Sequence, residues 1–248
     1  MSGRPLQALP SAGFTLTELA VVLVIVSLLI GGLLVPLSAQ IDARNVSDTR
    51  ASLAEIREAL LGYAAVNGRL PCPAVATAGD GSEQFDLLTG QCPSEVGVLP
   101  WATLGVRETD AWGRRYTYRV TRVFAQCVAP AYVLGTPCTP GYSFVLSSPA
   151  GLDVRSTAGG SVIASKVPAV VISHGKNGNG AYSRTGTQFP TGADVDEQEN
   201  QLISPAGVVT MANFDFVSKT PTATFDDEVM WISPGVLFNR MISVGRLP

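Results

Sequence analysis

Residues 19–37 run for about 19 positions almost without a polar side chain, and a carboxylate, Glu18, stands at their head. At 1.5 Å per residue the run approaches the roughly 30 Å of a bilayer's hydrocarbon core, so the sequence predicts a membrane-spanning helix. A secretory signal carries its small-residue cleavage site behind a shorter apolar stretch, whereas here the small residue, Gly13, lies in front. Cleavage at Gly13 would therefore keep the helix. Arg4 and the amino terminus favour cytoplasmic retention of the leader, a bias weakened by Arg44, Arg50 and Arg57 on the other side. A charge within a span costs about 2.5 to 3.5 kcal/mol on the milder insertion scales, so Glu18 needs a partner.

Gly13, Phe14, Thr15, Leu16 and Glu18, followed by the apolar tail, resemble the start of type IV pilins and type II secretion pseudopilins. The resemblance implies that a prepilin peptidase removes a leader, 1–13, and methylates the new amino terminus at Phe14. It also implies a bacterial inner-membrane protein with a single pass through the lipid bilayer before assembly. An inner-membrane platform would then assemble it with other pilin or pseudopilin subunits into a periplasmic or extracellular filament. A free amino terminus titrates near 7.7 to 8.0, and methylation leaves its charge in place. The Phe14 nitrogen of a neighbouring copy would thus neutralise Glu18, and an unpaired charge in apolar surroundings would penalise misaligned copies. The other reading is a signal anchor whose Glu18 snorkels to the interface. Gly31, Gly32 and Pro36 mark the weakest part of the helix. By resemblance, 31–36 extends when subunits pack; tolerance of these residues within a span is the alternative.

Beyond Pro36 the pattern becomes amphipathic, with Val46, Thr49, Leu53, Ile56, Leu60 and Ala64 recurring at three- and four-residue intervals. Asn67-Gly68 supplies a stop, and Pro71 and Pro73 prevent continuation. One helix is therefore expected over 14–67, roughly 80 Å long at 1.5 Å per residue, with 14–37 as the transmembrane half and filament core. Residues 68–248 read as a β-rich globular domain, periplasmic or extracellular. Tyr116, Tyr118 and Val120 alternate with Thr117 and Arg119 as in a half-buried strand, and "GYSFVLSS" (141–148), "VPAVVISHG" (167–175) and "FDDEVMWISP" (225–234) look like antiparallel neighbours. The C-terminal "SPGVLFNRMISVGRLP" predicts a short docking helix ending at Gly245. The expected fold class is α+β and pilin-like: a long N-terminal helix, transmembrane then amphipathic, packed on a C-terminal antiparallel sheet. The order Asn67-Gly68-Arg69-Leu70-Pro71, Asp110-Ala111-Trp112-Gly113, Tyr116-Thr117-Tyr118 resembles the major pseudopilin of type II secretion. Extra loops at 72–100 and 121–141 point to a minor or specialised subunit.

A net charge of -3 gives no general attraction to nucleic acid. A single histidine, His174, removes HExxH and His-cluster zinc sites. Cys72, Cys92, Cys127 and Cys138 all follow the apolar segment, and an oxidising compartment would bridge them. Four cysteines allow three connectivities; closing local loops favours Cys72 with Cys92 and Cys127 with Cys138, and the lack of CxxC spacing disfavours zinc. "SHGKNGNGAY" (173–182) is the most enzyme-like stretch, but it fails the P-loop pattern and no GxSxG occurs. The expectation is a structural subunit and no enzyme. A membrane-anchored periplasmic binding protein or hydrolase is the alternative. The major pseudopilin places acidic calcium ligands after a glycine-rich loop; Asp194, Asp196, Glu197 and Glu199 follow here, and by that resemblance Asn177, Asn179, Asp194 and Asp196 are candidates for calcium. Asp226, Asp227 and Glu228 form a second acidic patch, and a solvated surface is the other reading of both.

Overall fold

A computed structural model describes residues 13–127, 144–201 and 215–247, without the side chains of 32–37. The leader before Gly13, Cys138 and most of the predicted loop at 121–141 lie outside the described residues. The chain divides into two compact units, 1–44 and 45–248, and one helix, α1 (Leu16–Asn67), contributes to both.

In the first unit α1 begins on a reciprocal cap. The Thr15 N–H donates to Glu18 Oε2 at 2.8 Å and the Glu18 N–H donates back to Thr15 Oγ1 at 3.3 Å. This is the capping box, which satisfies backbone donors that a helix start leaves bare. Helical backbone continues through Gly31 and Pro36 without interruption. Leu19, Val22, Leu23, Ile25, Leu28 and Leu29 are exposed along it. Among the described residues no helix is long and apolar enough to cross a membrane. The expected span over 14–37 is corrected to that extent. The helical stretch with described side chains, 16–31, rises only roughly 24 Å, short of a core of roughly 30 Å, and it includes Glu18.

In the second unit α1 turns Thr49, Leu53, Ile56, Leu60 and Ala64 inward at helical spacing. Fully burying a side chain such as Leu60 or Ile56 contributes about 2 kcal/mol, so this face supplies much of the force that holds the helix down. The helix ends where Gly68 donates its N–H to the Ala64 carbonyl at 2.8 Å. Short elements follow: β1 (Val96–Val98), α2 (Trp101–Leu104), β2 (Arg114–Arg115), β3 (Thr117–Val120), a 3-10 turn (Arg122–Phe124), β4 (Leu152–Arg155), β5 (Val162–Val167), β6 (Ala169–Ser173), β7 (Tyr182–Ser183), α3 (Val195–Glu199), β8 (Asp215–Val217), β9 (Glu228–Ile232) and α4 (Pro234–Ser243).

Four strands form an antiparallel sheet in the order β1-β3-β6-β9. Its two faces belong to different cores, as the alternation along β6 makes plain. Ala169 and Val171 join the α1 side with Leu60, Tyr118 and Met241, while Val170 and Ile172 join Leu152, Val154 and Phe216 of a second sheet. All four residues of β3 are buried where alternation predicted only half. Within the second sheet, β5-β4-β8, β4 and β8 run parallel, a departure from the all-antiparallel expectation. The described part of "GYSFVLSS" is not a strand: the chain turns, with the Ser148 N–H on the Val145 carbonyl at 2.8 Å, and Phe144 packs on Phe124 at 4.8 Å between ring centroids. The C-terminal helix α4 docks Leu237 and Met241 into the α1-side core and leaves Ile242 exposed.

Cys72 and Cys92 are joined. Cys127 is also disulfide-bonded, and Cys138 lies outside the described residues. Two buried arginines tie down the loops around the sheet. Arg69 pairs with Glu83 at 2.8 Å, and Glu83 also accepts the Cys72 N–H and the Tyr63 hydroxyl. Arg115 donates to the carbonyls of Ala76, Ala78 and Arg184 and to Glu108, with its guanidinium over the Trp101 ring.

Candidate functional site

Two regions hold the residues that sequence reasoning singled out. The first is the N-terminal segment. Glu18 Oε2 takes both the Thr15 N–H and the Thr15 hydroxyl, the latter at 2.9 Å, so the carboxylate sits over the helix start. A carboxylate there also opposes the positive end of the helix dipole. Phe14 precedes the helix with its ring exposed, and Gly13 lies one residue further out. Any new amino terminus at Phe14 would therefore emerge one residue from the nitrogen that Glu18 already holds. Sequence reasoning named Thr15 only as part of the motif and missed its capping role, although Thr15-Leu16-Thr17-Glu18 carries the T-x-x-E signal of the capping box.

The second region is the loop after β6. Gly175 has φ +53 and packs so closely on Asp226 that a Cβ would come within 2.2 Å of its carbonyl oxygen. Gly178, at φ +66, lies against the Arg114 side chain in the same way. Glycine is required at both positions by conformation and by contact. Arg114 in turn donates to the carbonyls of Gly175 and Lys176, both at 2.6 Å, and so fixes the loop on the β2 side.

The loop is fixed on its other side by α3. Asn177 and Asn179 donate their side-chain amides to the two oxygens of Glu197, at 2.5 and 2.8 Å. Glu197, Asp226 and Asp227 then converge, each with an oxygen within 4.8 Å of the others. Asp226 Oδ1 and Asp227 Oδ1 are buried without a hydrogen-bond partner in the described structure. Burial pushes the carboxyls of Asp226 and Asp227 upward, most strongly at Asp227, against the opposing effect of the Asn200 amide. His174 is fully buried beside them, with Nε2 2.7 Å from Thr117 Oγ1 and Nδ1 3.7 Å from Asp227 Oδ1. Its burial, and secondly the Arg114 guanidinium, lower the imidazole to about 4. Both directions favour the uncharged form of each partner, because burial disfavours charge on either.

The four calcium candidates occupy other places. Asp194 caps α3, accepting the Asp196 N–H at 2.9 Å and the Thr224 hydroxyl at 2.6 Å. Asp196 is paired with Lys219 and accepts the Ala158 N–H. Asn177 and Asn179 serve as donors to Glu197. The acidic cluster instead draws on Asp226 and Asp227, visible in the sequence only as an acidic patch. Nothing in the local sequence signals that Glu197 would reach them. Ser173 donates to Asp110 at 2.6 Å while His174 bonds Thr117, so the neighbours Ser173 and His174 face different partners and form no nucleophile–base pair.

With that geometry in place, residues 10–34 match the prokaryotic N-terminal methylation motif, the prepilin-type signature of type IV pilins and pseudopilins. The match supports a type IV pilin-like or pseudopilin subunit in general, processed by prepilin peptidase and assembled with other pilin subunits. No curated protein and no solved structure is significantly similar to the chain.

Proposed function

We propose that this chain is a structural subunit of a type IV pilus or type II secretion pseudopilus. Prepilin peptidase cuts it after Gly13 and methylates Phe14, and the subunits polymerise by bundling α1. The observation that carries this reading is the methylation motif at 10–34. The exposed apolar face of α1 supports it, because an apolar surface of that extent needs lipid or other helices to cover it. In the filament the Glu18 carboxylate of one copy meets the Phe14 nitrogen of the next. Mass spectrometry of the protein from native cells should give a chain starting at Phe14 with one added methyl group. Retention of residues 1–13 in every molecule would overturn the proposal. Glu18→Ala should leave cleavage intact and abolish polymerisation.

A bound hard cation is a further part of the reading, favoured by the all-oxygen cluster of Glu197, Asp226 and Asp227 and its two unpartnered buried oxygens. These residues would hold it in place of Asn177, Asn179, Asp194 and Asp196. Calcium should raise the melting temperature and EDTA should lower it again. An unchanged melt in both would assign the cluster to structure alone.

A further inference from the structure

We propose that the side chains of Asp196 and Lys219 are condensed into an amide, an internal cross-link between α3 and the segment that leaves β8. The link stands apart from the filament and cation readings above.

Among the described ion pairs this is the one whose cation is a lysine; the others use arginine or the single histidine. The difference is chemical. A guanidinium stays protonated and is no nucleophile, whereas a lysine amine taken out of water gives up its proton readily and then attacks carbonyl carbon. The chain has three lysines, and Lys166 and Lys176 are exposed. Lys219 is held inside instead, its side chain 23% exposed and that of Asp196 10%.

Both reacting groups are fixed. Asp196 lies in the first turn of α3, its Oδ1 accepts the Ala158 N–H at 2.7 Å, and its Oδ2 meets Lys219 Nζ. A contact on Oδ2 leaves Nζ one C–O bond from Cγ, the atom it attacks, and groups held in such near-attack geometry react as though at about 10⁵ M or more. Nζ also lies 4.6 Å from the centre of the buried Phe225 ring, an apolar wall that withholds water from the amine. Water opposes condensation by solvating the ammonium and the carboxylate, so its partial exclusion favours the uncharged amide.

The step balances within the pair. One ammonium proton passes from Nζ to Oδ2, giving a neutral amine and a carboxylic acid. The Nζ lone pair then forms the N–C bond at Cγ, and the charge that develops on Oδ1 meets the Ala158 N–H. A second proton moves from Nζ to Oδ2 by way of Asp194, the Cγ–Oδ2 bond breaks, and one water leaves. Asp194 is placed for that transfer, because it caps α3 by accepting the Asp196 N–H at 2.9 Å. The Thr224 hydroxyl, and to a smaller extent the Lys219 charge, hold its carboxyl below the ordinary range, so it is ionised and able to accept. The resulting bond closes a separation of 23 residues and pins α3 one residue from Glu197, the acid that Asn177 and Asn179 grip.

Mass spectrometry of the full-length chain, purified folded and then reduced and denatured, tests the link. The mass should fall about 18 Da, one water, below that of the free chain, and trypsin should fail to cut after Lys219. Lys219→Arg keeps an ion pair and should restore the full mass. Asp194→Asn keeps the helix cap and should slow the appearance of the lighter species after synthesis by about tenfold or more. An unaltered chain that melts cooperatively, carries the full mass and is cut after Lys219 overturns the link and leaves an ordinary ion pair.

Discussion

Glu18 answers to Thr15 in the isolated helix, and on the proposed reading it answers to a neighbouring Phe14 in the filament. The two roles compete for one carboxylate. Thr15→Ala removes both the side-chain acceptor for the Glu18 N–H and the hydroxyl donor, and should cost the helix start about 1 kcal/mol, seen as faster hydrogen exchange at 16–19, while Thr15→Ser should restore protection. His174 sets a pH dependence of definite sign. Its folded value of about 4 lies below the ordinary 6.5, so the unfolded chain binds the proton first. The contribution is complete above pH 6.5 and is lost as pH falls towards 4, by at most about 3 kcal/mol. Asp227 acts in the opposite sense: its raised value gives a contribution present at low pH and lost as pH rises through it. Urea titrations across pH 4 to 6.5 should show His174→Gln flattening the acid-side loss, and Asp227→Asn should remove the contribution that fades as pH rises.

Among the elements, the loop between α1 and β1 has almost no regular structure, and the Cys72–Cys92 bond closes a separation of 20 residues within it. Chain-entropy arguments put that closure at about 3 kcal/mol. Replacing both cysteines by serine should lower the melting temperature by about 10 °C for a chain of this size. How far these elements were legible depends on how local their causes are. The inward face of α1, the break at Gly68 and the strands around Tyr118, Val171 and Met230 follow from periodicity and turn residues, and each lies where pattern alone would put it. The burial of Thr117 and Arg119 did not: Thr117 is held by His174, a partner 57 residues away that strand alternation does not reveal. "GYSFVLSS" reads as a strand by composition, yet its described part turns, and Phe144 is held by Phe124 and Phe238 instead of by a ladder. The acidic cluster was half legible: Asp226 and Asp227 are conspicuous in the sequence, but only the fold brings Glu197 to them.

For the molecule as a whole, the described cores all lie within 45–248, and the exposed apolar part of α1 lies in 1–44. Stability and polymerisation should therefore separate. A chain beginning at Asn45 should melt cooperatively within a few degrees of the full-length protein, measured by calorimetry, yet sediment as a monomer where the processed chain forms filaments. Arg115 carries the same separation into the loops. A single buried guanidinium gathers three carbonyls from two distant stretches, so 76–78 and 184 cannot lift away independently. Proteases thread a pliable stretch of backbone through their clefts, and a loop pinned from within denies them that slack. Segments that look like easy prey by their lack of helix or strand should outlast digestion until the domain itself comes apart.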